Sequence, residues 1–173
     1  MKKTAVFILI LFLPFLPCRP EGQNTLFSIV KYINAVTFIT SEGESIKLEG
    51  ITAPDLNSEI GQKSLKLVKK LFGSSTITKA ETDKRKKDRF NHKLVYLYIE
   101  TENVPEGEKA DGKIIKKRPN GKYEIFLNAY LIKTGWAKTT ITPPNTKYMD
   151  FFFELEEKAR MDNRGSFKYT PYW

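Results

Sequence analysis

The chain has 173 residues, with 29 lysines and arginines against 20 acidic residues and a formal net charge of +9. At 40% hydrophobic it is too apolar for a disordered polymer and too polar for a membrane bundle. One cysteine excludes an intrachain disulfide framework and a cysteine-based zinc site, and one histidine excludes a histidine-rich metal centre.

Met1-Lys2-Lys3 is a short basic start, and the run from Ala5 to Leu16 is almost wholly apolar. It is shorter than the roughly 20 apolar residues of a spanning helix and contains Pro14, so residues 1–17 read as a secretory leader. Cys18 sits at the junction with the polar chain, where Phe15-Leu16-Pro17-Cys18 resembles a loose lipoprotein box. The expectation is an exported domain on a short tether, 18–24. It is either anchored through acylated Cys18 in the cell envelope or released as a periplasmic or secreted protein. About 150 residues then remain, enough for one domain, here taken as 25–170.

Between Thr25 and Leu48 the chain is rich in β-branched and aromatic residues. Breaks at Asn34-Ala35 and at Ser41-Glu42-Gly43-Glu44 divide it into three strands. A helix follows, with Asn57 or Ser58 as its cap, Gly73 as its stop, and Ile60, Leu67, Val68, Leu71 and Phe72 at helical spacing. Ser75 to Thr82 and Lys93 to Glu100 read as two further strands, the second alternating through Leu94, Tyr96 and Tyr98. Residues 101–113 read as an exposed polar loop. Lys116-Lys117-Arg118-Pro119-Asn120-Gly121-Lys122 reads as the tip of a basic hairpin. A short helix spans Leu127 to Thr134 with Gly135 as its stop. Pro143-Pro144 breaks the chain, and a last helix is expected from Asn145-Thr146 to about Asn163. The Phe151-Phe152-Phe153 run and Trp136 are read as core.

This order predicts an α+β fold: a five-stranded Greek-key barrel of the OB type with three helices around it. Five strings then resemble one family. They are Val30 to Phe38, Ile46 to Asp55, Asp88 to Tyr96, Leu127 to Ala137, and the close from Arg160 to Phe167 with Arg164-Gly165. Together, in this order, they resemble staphylococcal-nuclease-like (thermonuclease) domains, with residues 101–122 as an insertion. The resemblance implies a calcium-dependent phosphodiester hydrolase. Two aspartates would hold the ion, a glutamate would position water, and two arginines would clamp the phosphate. Carried over position by position, the metal aspartates fall on Val36 and Thr52, the glutamate on Asp55, and the arginines on Lys47 and His92. Calcium needs six to eight oxygen ligands, and a phosphate clamp needs the two-pronged guanidinium. The expected reading is therefore a nuclease-like domain without its metal ligands, cofactor-free, acting as a binding or scaffold protein. The alternatives are an active endonuclease with a diverged site built on Lys47, Asp55 and His92, and an envelope module that binds another protein.

Two basic clusters are candidate contacts for nucleic acid or another polyanion: Lys84, Arg85, Lys86, Lys87 and Arg89, and on the hairpin Lys116, Lys117 and Arg118. Anionic lipid headgroups are a further candidate for a protein held at a membrane. A solvated basic loop in a lysine-rich chain is the plain alternative.

Overall fold

The computed structural model describes residues 27–169. The leader 1–17, the tether 18–24 and Cys18 lie outside them. Among the described residues no helix is long and apolar enough to cross a membrane.

The three expected strands form as β1 (Ile29–Tyr32), β2 (Thr37–Thr40) and β3 (Ser45–Leu48), joined antiparallel in sequence. A two-residue strand, β4 (Ile51–Thr52), follows, and then α1 (Glu59–Gly73). Ser58 caps α1, its hydroxyl accepting from the Gly61 amide at 3.0 Å. A Cβ at Gly61 would lie 2.0 Å from the Asp55 carbonyl oxygen, so the helix start packs directly on that turn. The buried face of α1 includes Leu65, Val68 and Leu71.

Strands β5 (Ser75–Glu81) and β6 (Lys93–Thr101) complete the expected five. The hairpin adds β7 (Ile115–Lys117) and β8 (Tyr123–Phe126). The sheet order is β1-β2-β3-β6-β8-β7, with β5 pairing β6. The fold is thus α+β with a mixed sheet and three helices. Among the described residues the strand pairings follow this path without a pairing that closes it, consistent with the expected OB-type architecture. β6 is the hub: its first half pairs parallel with β3, its second half antiparallel with β5 and β8. Having neighbours throughout, it is buried from Leu94 to Leu97 instead of alternating.

Helix α2 (Leu127–Lys133) packs on α3 (Met149–Met161), and a 3₁₀ turn, Gly165–Lys168, ends the fold. A two-residue ribbon of β4 with β9 (Lys138–Thr139) was not expected from the sequence. The core gathers Phe38, Ile46, Leu48, Val95, Leu97, Ile125, Leu131 and Phe152 from every layer. Buried Asn128 is its polar pin: its amide oxygen accepts from Leu97 and its amide nitrogen donates to Glu49 and Val95 carbonyls. Gly135 and Gly165 sit back to back, both at positive φ, and a Cβ on either would fall within 2.4 Å of the other segment's backbone.

Two expectations need correction. Helix α3 begins at Met149, because Asn145 is fully buried and its amide is committed elsewhere. Phe153 is 52% exposed, since three consecutive helical residues 100° apart cannot share one face. The 101–113 loop is exposed along most of its length, as expected, and is also tied to the body. Lys133 bonds Glu108 at 2.8 Å and Asp111 at 3.1 Å, and Arg164 reaches Glu108 at 3.3 Å. Asp111 also accepts the amides of Lys113, Ile114 and Ile115. Burial pushes the Asp111 carboxyl up, but those amides and the Lys133 ammonium outweigh it and bring its pKa to about 2.

Candidate nucleic-acid interface

The turn after β3 and the loop entering β6 face each other across a small cleft of about 100 Å³. Lys47, Glu49 and Thr52 line one side, Arg85 and Asp88 the other, with Thr142 closing the end. Three sequence candidates, Lys47, Thr52 and Arg85, are therefore in the cleft, and three others, Val36, Asp55 and His92, are not among its lining residues. Val36 is 3% exposed and packs in the core. Asp55 is exposed and takes the Asn57 amide at 3.0 Å, capping its own turn.

His92 stands on the tight turn 88–92, and its partner is Asp88. His92 Nδ1 lies 2.9 Å from Asp88 Oδ2, while Asp88 Oδ1 accepts the backbone amides of Phe90 and His92. Burial alone would raise the Asp88 carboxyl. The His92 ring and the backbone donors outweigh it and hold the group below its ordinary value, so it is a firm carboxylate. In a neutral ring, an Asp88 carboxylate favours the tautomer with the proton on Nδ1.

Beneath the cleft lies a knot that sequence reading misses. Glu49 is 4% exposed, and burial raises its carboxyl pKa. The Asn145 side chain, the Gly50 amide and the Arg85 charge pull it back without cancelling the rise. Asn145 donates to Glu49 Oε2 at 2.8 Å and to the Arg85 carbonyl at 2.8 Å, and accepts the Arg85 amide at 2.7 Å. One buried amide thus fixes the loop's backbone to the cleft floor. Arg85 is accordingly unlike its neighbours. It is half-buried, and its Nε is buried with no hydrogen-bond partner among the described residues.

The other cations of this loop, Lys84, Lys86, Lys87 and Arg89, are exposed. Lys87 donates to Asn91, and the Arg89 guanidinium lies 4.7 Å over the Phe90 ring. None of the four meets a carboxylate within ion-pair distance among the described residues. The hairpin cluster is different. Arg118 pairs with Glu124, and Lys122 with Glu102 at 2.8 Å and Glu100 at 4.0 Å. Lys116 and Lys117 are exposed, with Glu124 opposite Lys116 in the ladder. The two clusters also stand apart. The loop adjoins Lys93 and the hairpin tip adjoins Thr101, the two ends of β6, a strand about 26 Å long at 3.3 Å per residue. They do not frame one groove.

A family model described as staphylococcal nuclease homologue matches residues 45–168, more than half of the chain. Four of the five resembling strings lie within that span, and the string from Val30 to Phe38 precedes it. Among curated proteins no match is found.

Proposed function

The chain belongs to the staphylococcal nuclease homologue family, and from that premise we propose that the domain binds polynucleotide backbones without the family's calcium chemistry. The observation that carries this is the unpaired set Lys84, Lys86, Lys87 and Arg89 beside the cleft that holds Lys47 and Arg85. Phosphate oxygens are the matching ligands for such a set. The family's calcium set is not retained: core-bound Val36 and uncharged Thr52 stand where carboxylates are expected, Asp55 is engaged in its own turn, and of the two carboxylates lining the cleft Glu49 is buried on Asn145 and Asp88 is taken up by His92 and backbone amides. Export by the 1–17 leader and anchoring through Cys18 belong to the same proposal. Loss of fatty-acid labelling in Cys18→Ser tests the anchor.

The deciding experiment measures binding of a labelled single-stranded oligonucleotide to the full chain across a salt series. Four phosphate contacts give a slope of log K against log salt near −3, at about −0.7 per contact. Replacing Lys84, Lys86, Lys87 and Arg89 by alanine should flatten that slope towards zero. The same change at Lys116, Lys117 and Arg118 should alter it by less than half as much. Salt-independent binding, or equal losses from the two sets, overturns the proposal.

A second reading has its own observation. Asp88 gives His92 the oriented partner that a general base needs. If the domain retains hydrolysis, cleavage should survive chelators and be lost in His92→Ala. Robust cleavage that requires calcium would sink the binding reading outright.

A further inference from the structure

At the Thr101 end of β6 the 101–113 segment roofs a second cleft, of about 500 Å³, against the end of α1. None of its lining residues belongs to the cleft of Lys47 and Arg85. Leu67 and Leu71 of α1 form one wall, Val104 and Pro105 of the roof the other, and Tyr130 of α2 the floor. The roof is held in place: Glu108 pairs with Lys133 and Arg164, and its amide bonds the Pro105 carbonyl at 3.1 Å. Tyr130 is only 3% exposed, yet its hydroxyl meets no hydrogen-bonding group among the described residues. A phenol so deeply buried wants a partner, and the cleft is the way in for one. Burial and then the Glu108 carboxylate push its pKa up to about 12, so near neutral pH it is an uncharged donor and acceptor. The mouth has the opposite character. Lys70, Glu102 and Glu106 line it, all largely exposed, and Lys70 reaches Glu106 only at 3.9 Å. Helix α1 ends there at Gly73, and the C-terminal end of a helix carries partial negative charge.

We propose that this second cleft binds a small aryl amine that carries a hydroxyl on the ring, opposite the ammonium. The three parts of such a ligand match the three zones of the site. The ammonium meets Glu106 and the end of α1, the ring lies between the Leu67–Leu71 wall and the Val104–Pro105 wall, and the hydroxyl exchanges a hydrogen bond with Tyr130. The volume is that of a small-molecule site, with mostly apolar walls and few polar groups to fix orientation. An anionic ligand of the same shape would set its charge against two carboxylates and a helix C-terminus. A ligand without the hydroxyl would leave Tyr130 unbonded. The site stands apart from the polynucleotide reading, because it is built on the segment that interrupts the family strings.

The test titrates the full chain with three probes of one shape, followed by amide chemical shifts: tyramine, phenethylamine and 4-hydroxyphenylacetate. Tyramine should shift the amides around Leu71 and Val104 and leave those around Lys47 in place. It should bind about fivefold more tightly than phenethylamine, the worth of one hydrogen bond. It should bind about tenfold more tightly than the carboxylate, which meets the mouth with the wrong sign. Tyr130→Phe should erase the advantage of tyramine over phenethylamine and leave phenethylamine itself unaffected. Its thermal midpoint should match wild type, since the lost hydroxyl bonds nothing in the chain. Val104→Trp, which fills the cleft from the roof, should abolish binding of both amines. Absence of shifts at Leu71 and Val104 overturns the site. Equal or tighter binding of the carboxylate overturns the amine, and an advantage of tyramine that survives Tyr130→Phe overturns the role of the buried phenol. Oligonucleotide binding by Val104→Trp should equal that of wild type, so failure here and failure of the backbone reading are told apart.

Discussion

At the Lys93 end of β6, four exposed cations carry no carboxylate partner, and a buried amide holds their loop against the cleft floor. At the Thr101 end, Arg118 and Lys122 of a comparable run pair with Glu124, Glu100 and Glu102, and Glu124 also stands opposite Lys116, while Lys117 is exposed. The two runs are alike along the chain and different in the field they project. Charge density in a sequence counts residues, whereas a potential depends on which carboxylates the strand register brings alongside. The first end therefore presents a polyanion with more unpaired cations than the second, where Arg118 and Lys122 are engaged by neighbouring carboxylates.

The largest effect that would break this contrast is at Asn145. Its alanine variant removes three hydrogen bonds and leaves Glu49 buried with one partner fewer. Unsatisfied buried groups cost about 1–3 kcal/mol each, so a loss of roughly 3 kcal/mol is expected in chemical denaturation. Amide exchange should accelerate around residues 84–87 and remain slow in the hairpin. Equal acceleration at both ends would show that the knot is not local.

At the other end Asp111→Ala should cost about 2 kcal/mol at pH 7, reflecting its three amide bonds and Lys133. The sign follows from a folded pKa below the ordinary value. The stabilisation is present above pH 4 and fades as pH falls through about 2, so wild type and variant should converge there in acid unfolding curves. The smallest effect is at the exposed Lys122, whose alanine variant should leave the thermal midpoint where it is in wild type. A shift would mean that the hairpin's surface pairs do more than neutralise one another.

Sequence reading reached the elements whose signals are local. α1 carries a capping serine, an apolar period and a terminal glycine within one window, and β1 to β3 are separated by turn residues. The family strings also locate the cleft through Lys47 and Thr52. What escaped it depends on contacts between distant segments. Asn145-Thr146 looks like a helix start, yet the Asn145 amide serves Glu49, 96 positions earlier. The β4–β9 ribbon has only two residues per strand, too few for any period. Arg85 reads as one cation among five, because nothing local distinguishes the residue whose backbone Asn145 takes up. His92 reads as solitary, although Asp88 lies four positions before it, since that pairing exists only once the turn closes.

The back-to-back glycines have a consequence for how this chain tolerates change. Gly135 and Gly165 are 30 positions apart, but each one's missing Cβ is occupied by the other's backbone. A side chain at either position must force the same two segments apart. Once they are apart, a side chain at the other meets less resistance. The steric part of Gly135→Ala and Gly165→Ala should therefore show positive epistasis, the double variant being less damaged than the sum of the singles, while the cost of a side chain at positive φ applies at each position separately.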